Sequence, residues 1–321
     1  MRRLARIVAW ILGGLAVLIA GYTAVTWAPD RPVEELVARW APPPSTFIDL
    51  QGMKVHVRDE GARDDPVPIV LLHGTSDSLH TWDGWVRALE GRRRVIRADM
   101  PGFGLTGPSP ANDYSIGAYV RFVEALLDHY GIEHCVLAGN SLGGWVAWET
   151  TLAQPRRVDA LILVDAAGYR YESQSVPIGF RLARIPLLNR LVLVTLPRSL
   201  VESSVRNVFG DPDRVTREIV DRHYELALRA GNRAAIVQRF RQAKAGVDEA
   251  RIPEIKVPTL ILWGGRDRLI PAEYGGLFER DIAGSKLVVF EDLGHIPQEE
   301  DPARTVAAVQ DFLATLPPAS P

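Results

Sequence analysis

Three textures follow one another along the chain. From Ile7 to Ala28 no charged residue interrupts an apolar run, and Arg2, Arg3 and Arg6 stand ahead of it. At a rise of about 1.5 Å per residue, a helix of this length crosses the roughly 30 Å of bilayer hydrocarbon. Trp10, Tyr22 and Trp27 lie toward its ends, where amphipathic rings favour the membrane interface. A cleaved signal peptide has a shorter apolar stretch, of about 7–15 residues, and a small-x-small exit. Here Pro29 blocks the site after Ala28, so residues 1–28 are expected to be an uncleaved anchor. Arg2, Arg3, Arg6 and the terminal amine precede the span, against Arg31 and Arg39 behind it. That bias favours a cytoplasmic N-terminus, with the rest of the chain on the outer side, periplasmic or extracellular.

Residues 29–45 form a juxtamembrane segment. Asp30 to Ala41 reads as a short helix with Pro32 in its first turn. Val33, Leu36, Val37 and Trp40 fall on one face, which suits either the bilayer surface or the remainder of the protein. Pro42, Pro43 and Pro44 then make a stiff spacer.

From Thr46 the pattern alternates between strands and helices, which implies an α/β fold with a mostly parallel sheet and helices on both faces. Phe47–Leu50 and Met53–Arg58 suggest an opening hairpin around Gln51-Gly52. Short apolar runs at 69–72, 95–98, 135–138, 161–164, 259–262 and 286–290 have the character of buried parallel strands. Helical periodicity fills 115–130, 143–154, 274–281 and 303–313. Between the fourth and fifth of those runs, residues 169–250 are helical without a strand-like segment. They are expected to be a cap inserted over the strand ends, dividing the core into 46–168 and 251–317. Within the cap, the cluster Leu191 to Leu196 reads chiefly as buried core.

Composition narrows the function classes. With 47% hydrophobic and 24% charged residues the chain has the mix of a folded protein. A net charge of −2 and the lack of any basic stripe interleaved with aromatics argue against a nucleic-acid partner. One cysteine, Cys135, excludes an intramolecular disulfide.

The chemistry centres on Gly139-Asn140-Ser141-Leu142-Gly143, which follows a strand and opens a helix. Glycines on both sides let a serine occupy a sharp, strained turn at a helix N-terminus, the arrangement of a nucleophile elbow. Serine needs a base, and among seven histidines His295 follows the last strand in Leu293-Gly294-His295-Ile296. The acid belongs at a strand end between them in the chain. Asp267, in Trp263-Gly264-Gly265-Arg266-Asp267, has that place, with Asp165 at an earlier strand end as runner-up. An oxyanion would be held by the backbone N–H of Leu142 and that of Thr75, after His73-Gly74. His73 itself reads as a brace for the loop.

His73-Gly74 with Trp82, Asp99 to Gly104, Gly139 to Gly144, Trp263 to Asp267 and Gly294-His295 occur in the order seen in the α/β-hydrolase superfamily. The chain resembles that family from Thr46 to Leu316. Ser141 separates it from the haloalkane dehalogenase and epoxide hydrolase pattern, whose nucleophile is aspartate. The elbow is similar to that of carbon–carbon bond hydrolases of aromatic degradation, and anchor plus cap is similar to membrane-bound monoacylglycerol lipases. The resemblance implies a hydrolase using Ser141, Asp267 and His295 without metal or organic cofactor. The leading expectation is cleavage of a lipophilic ester through an acyl-enzyme, with the bilayer as a partner through residues 7–28. A carbon–carbon bond hydrolase of the meta-cleavage-product type and a catalytically inactive binding protein are the alternatives.

Overall fold

The computed structural model describes residues 2–243 and 248–317. Its centre is an eight-stranded sheet in the order β1-β2-β4-β3-β5-β6-β7-β8. The strands are β1 (Thr46–Leu50), β2 (Met53–Gly61), β3 (Ile69–Leu72), β4 (Arg94–Ala98), β5 (Cys135–Asn140), β6 (Val158–Val164), β7 (Thr259–Gly264) and β8 (Lys286–Phe290). β1 and β2 form the expected hairpin, β2 runs antiparallel to β4, and from β4 to β8 every pairing is parallel.

The helices, in chain order, are α1 (Arg2–Val25), α2 (Glu34–Trp40), α3 (Asp83–Leu89), α4 (Ile116–His129), α5 (Leu142–Ala153), α6 (Ile178–Arg184), α7 (Leu188–Val192), α8 (Arg198–Val208), α9 (Arg217–Ala227), α10 (Asn232–Gln242), α11 (Glu273–Asp281), α12 (Pro297–Glu300) and α13 (Pro302–Thr315). Strand side chains alternate between two apolar layers. Val70, Leu72, Leu137, Leu161 and Ile261 join Phe122, Trp148 and Phe278 of α4, α5 and α11 on one face. Ile69, Leu71, Val136, Ile162 and Leu260 join Trp85, Val306 and Phe312 of α3 and α13 on the other. Both faces are covered, which is why these strands read as unbroken apolar runs.

Helices α6 to α10 stand between β6 and β7, and no strand interrupts them among the described residues; residues 244–247, within the expected cap of 169–250, lie outside the description. The cluster 191–196 departs from the buried core expected of it. Leu196 and Thr195 are buried, Leu193 is exposed, and Val192 and Leu196 line a cavity. Ile185, Leu187 and Leu188 just before it are exposed as well, Leu187 by 72%. Part of the cap's apolar surface lines the cavity and part faces outward, so the cap's apolar residues do not all become buried core.

The N-terminal segments also sharpen. α1 is exposed along its apolar length, so it is not a core helix. It ends at Val25, before the end of the anchor expected at residue 28. Thr26–Ala28 instead pair with the cap: the Ala28 N–H donates to the Val194 carbonyl at 3.0 Å, and the Leu196 N–H to that of Thr26 at 3.2 Å. The helix after Pro32 starts at Glu34, leaving the proline ahead of its first turn. Its apolar face packs inward, with Leu36 and Trp40 buried against Leu105 and Leu226. Trp40 Nε1 donates to Glu225 at 2.7 Å, and Arg39 pairs with the same carboxylate at 2.5 Å. This segment is thus part of the folded body.

Candidate active site

Ser141 sits between β5 and α5 with φ 54° and ψ −114°, a backbone conformation that side chains rarely tolerate. The turn survives because its neighbours are glycine. A Cβ on Gly139 would fall 2.2 Å from the Gly143 carbonyl, and one on Gly143 would fall 2.2 Å from the Leu72 carbonyl oxygen. The Ser141 N–H donates to Val164 and its carbonyl accepts from Ala167, each at 3.0 Å, so the strained residue is held from both sides.

His295 Nδ1 lies 2.6 Å from Asp267 Oδ2, with both side chains buried. The other Asp267 oxygen accepts the backbone N–H groups of Leu269 and Ile270 at 2.8 and 3.0 Å. That fixed carboxylate makes Nδ1 the protonated nitrogen of a neutral imidazole and leaves Nε2 as the basic one. Asp165, the runner-up, stands behind this pair: a polar atom from each of Asp165, Asp267 and His295 falls within 4.8 Å of the others. It accepts the Gly264 N–H at 2.9 Å and makes no hydrogen bond to His295. Burial, and then the Asp267 charge beside it, push its carboxyl well above the usual range, which disfavours its ionised form.

Ser141, His295, Thr75 and Asn140 line one cavity of about 210 Å³ beneath the cap. Its walls include Phe180, Val192, Leu196, Leu200, Val205 and Ile236, so it is largely apolar. Thr75 and Leu142 flank Ser141 in an adjoining recess. The Leu142 N–H belongs to the first turn of α5, where amides lack intrahelical partners. His73 does not reach the cavity lining. It lies buried, Nδ1 bonded to the Gly74 carbonyl at 2.7 Å and Nε2 accepting the Met100 N–H at 2.9 Å, the bracing role read for it.

Several contacts that hold the site together carried no signal in the sequence. Asn140 Nδ2 donates to the His295 carbonyl at 2.9 Å and to that of Val164 at 3.1 Å, tying elbow to histidine loop. Glu300 accepts the Gly294 N–H at 2.8 Å together with the Gly210 and Asp211 N–H groups, clamping that loop to the cap. The elbow is a local pattern, but bonds such as these join residues far apart in the chain. Asp77, His223 and Glu299 also converge within 4.8 Å, as metal ligands do. Arg222 already supplies the opposing charge there, 2.7 Å from Glu299 and 3.7 Å from Asp77.

A second Ser–His–Asp array occurs at Ser45, His56 and Asp99, with contacts of 2.8 and 2.7 Å. It is scaffold: Arg58 Nε donates to Ser45 Oγ at 2.8 Å, and Asp99 accepts the Leu79 and Leu105 N–H groups. Distances alone do not make a site; Ser141 and His295 share a cavity, and Ser141 sits on a strained turn.

Comparison with known proteins agrees with this architecture. The family described as alpha/beta hydrolase fold matches residues 67–302. An uncharacterised protein of Mycobacterium tuberculosis is 33% identical over 303 residues, 90% of this chain and 85% of that one. The 2-hydroxy-6-oxo-2,4-heptadienoate hydrolase of Pseudomonas putida is 30% identical over 277 residues, 82% of this chain and 94% of that one. Among solved structures, a membrane phospholipase A described as a bacterial virulence factor has a TM-score of 0.75 at 23% identity. That likeness is of fold, and it covers 99% of this chain and 100% of the other.

Proposed function

The chain belongs to the α/β-hydrolase fold family, and from that premise we propose that it is a membrane-anchored serine hydrolase cleaving carboxylic esters of lipophilic substrates. The observation that carries the reading is one apolar cavity lined by both a strained Ser141 and an Asp267-oriented His295. Ser141 Oγ attacks the ester carbonyl carbon while His295 Nε2 takes its proton. The N–H groups of Thr75 and Leu142 stabilise the oxyanion. As the C–O bond breaks, His295 returns the proton to the departing alcohol, leaving an acyl-enzyme. Water, deprotonated by the same imidazole, then releases the acid and restores Ser141. Asp267 holds the tautomer and stabilises the imidazolium throughout.

The anchor reading draws on α1, 24 residues long and exposed, or about 36 Å of helix at the usual rise. It draws equally on the apolar cap surface at Ile185, Leu187, Leu188 and Leu193, next to the strand pairing of Trp27 with Thr195. An apolar surface continuous with a membrane anchor suits a substrate drawn from the bilayer. The arginine bias assigns the N-terminus to the cytoplasm and the catalytic domain to the outer side. Protease accessibility of that domain in intact spheroplasts tests the orientation.

The second reading, hydrolysis of a carbon–carbon bond in a dienoate, is favoured by the 30% identity to the heptadienoate hydrolase. Labelling by a fluorophosphonate probe, abolished in Ser141→Ala, tests the shared nucleophile; an unlabelled wild-type protein refutes both readings and favours a binding protein. Turnover of p-nitrophenyl esters against a 2-hydroxy-6-oxo-dienoate separates them. Negligible ester hydrolysis with rapid dienoate cleavage would overturn the first in favour of the second.

A further inference from the structure

Among the described residues five arginines are buried: Arg58, Arg97, Arg222, Arg233 and Arg239. Four have carboxylates, in the pairs Arg58–Asp83 at 3.4 Å, Arg97–Glu60 at 2.8 Å, Arg222–Glu299 at 2.7 Å and Arg233–Asp30 at 2.6 Å. Arg239, on α10 and only 5% exposed, is the exception. Among the described residues no acid pairs with it, and its Nε finds no acceptor. Residues 244–247, which follow on the chain, contain no acid either. Its surroundings are aromatic and cationic. The guanidinium lies 5.9 Å from the centre of the Trp145 ring, near Tyr119 and Tyr171, and Arg184 adds a second positive charge. Burial, with Arg184, lowers its pKa, and no carboxylate opposes the shift. A buried charge without a carboxylate is costly, and aromatic rings are the only counterpart seen for this cation among the described residues.

The position of Arg239 supplies the reason. It lines a recess with Arg184, Trp145 and Tyr171, and the same recess is lined by Ser141, Thr75 and Leu142. A ligand group entering there meets two guanidinium-bearing side chains in the same recess as the nucleophile and the residues that flank it. We propose that this recess is an anion subsite, in which Arg239 and Arg184 bind an oxyanion, carboxylate or phosphate, carried by the substrate near its scissile carbonyl. Arginine suits that task because its planar fork matches either oxyanion. The main cavity then takes the lipophilic part of the same molecule, which makes the preferred substrate amphiphilic. The proposal rests on the serine-hydrolase reading for where the scissile carbonyl lies, but not for the binding of the anion.

Two measurements on the full-length protein in detergent test it. The first compares kcat/KM for mono-p-nitrophenyl glutarate and for neutral p-nitrophenyl valerate, as a ratio within one preparation. The wild-type ratio is expected to exceed one, to fall at least tenfold in Arg239→Gln, and to recover in part in Arg239→Lys. A misfolded variant lowers both rates and leaves the ratio standing. The second is calorimetric binding of glutarate and of inorganic phosphate to Ser141→Ala, with and without Arg239→Gln, which needs no turnover. Saturable binding weakened at least tenfold by Arg239→Gln supports the subsite. Glutarate as the tighter ligand assigns the carboxylate source, and phosphate as the tighter assigns the phosphate source. A ratio indifferent to Arg239→Gln, with neither anion binding, overturns the inference. Loss of all ester turnover with anion binding intact would instead strike the ester-hydrolase reading and leave the subsite standing.

Discussion

Asn140 offers the sharpest test of how the site is held together. Its amide is 1% exposed and donates two hydrogen bonds, one to each side of the catalytic cleft. In Asn140→Ala the Val164 carbonyl keeps the Ser141 N–H, but the His295 carbonyl loses the donor seen here. One net hydrogen bond of about 1 kcal/mol and one unsatisfied buried acceptor of roughly 1–3 kcal/mol together destabilise by about 3 kcal/mol. Asn140→Asp is nearly isosteric yet is expected to be worse. It replaces two donors with acceptors aimed at two carbonyl oxygens, and protonation restores only one O–H. Its cost should exceed that of the alanine variant by about 1 kcal/mol or more at neutral pH, because an unpaired carboxylate is buried. Freed from the elbow, the histidine loop should also drift, lowering kcat about tenfold, or about 1.4 kcal/mol of transition-state stabilisation. Urea titration and p-nitrophenyl ester turnover, normalised to fluorophosphonate-reactive sites, read both effects. An Asn140→Ala protein within about 0.5 kcal/mol of wild type, or an aspartate variant milder than the alanine one, would refute the reasoning.

Other consequences follow from the same contacts. Asp267→Asn should lower kcat by about 10⁴ by disturbing the tautomer, whereas Asp165→Asn, at a side chain that makes no hydrogen bond to His295 and whose ionised form burial disfavours, should stay within about threefold; equal losses would show that the two acids share the role. Asp30→Asn leaves the buried Arg233 without its carboxylate, and because Asp30 is itself partly exposed the loss should be about 1–2 kcal/mol, seen as a lower Tm. His80, bonded through Nε2 to the Trp40 carbonyl at 2.9 Å, is pushed by burial down to about 3. Below pH 6.5 the unfolded chain therefore binds a proton that the folded chain refuses, so stability falls with pH, by about 2 kcal/mol between pH 6.5 and 5. His80→Gln should remove that part of the slope in urea midpoints measured against pH, and an unchanged slope would refute the assignment.

The chain's own pattern was enough for everything that depends on neighbours. Apolar runs doubly buried in a parallel sheet are continuous because both sheet faces are covered, and that is legible in the sequence at Ile69–Leu72 and Thr259–Leu262. The elbow is legible for a similar reason, since a positive φ at Ser141 demands glycine at fixed offsets. Asp267 and His295 were found through chain order and strand ends. What spacing does not carry is pairing across the fold. Only the tertiary structure decided that Asp267 and not Asp165 meets the imidazole, because both end neighbouring strands. It also turned Asn140 and Glu300 into fasteners of the histidine loop and joined Thr26–Ala28 to the cap. Arg239 illustrates the limit most clearly. In sequence it is one of many arginines on a helix, and its meaning lies in the carboxylate that is not beside it, which is a property of three-dimensional surroundings alone.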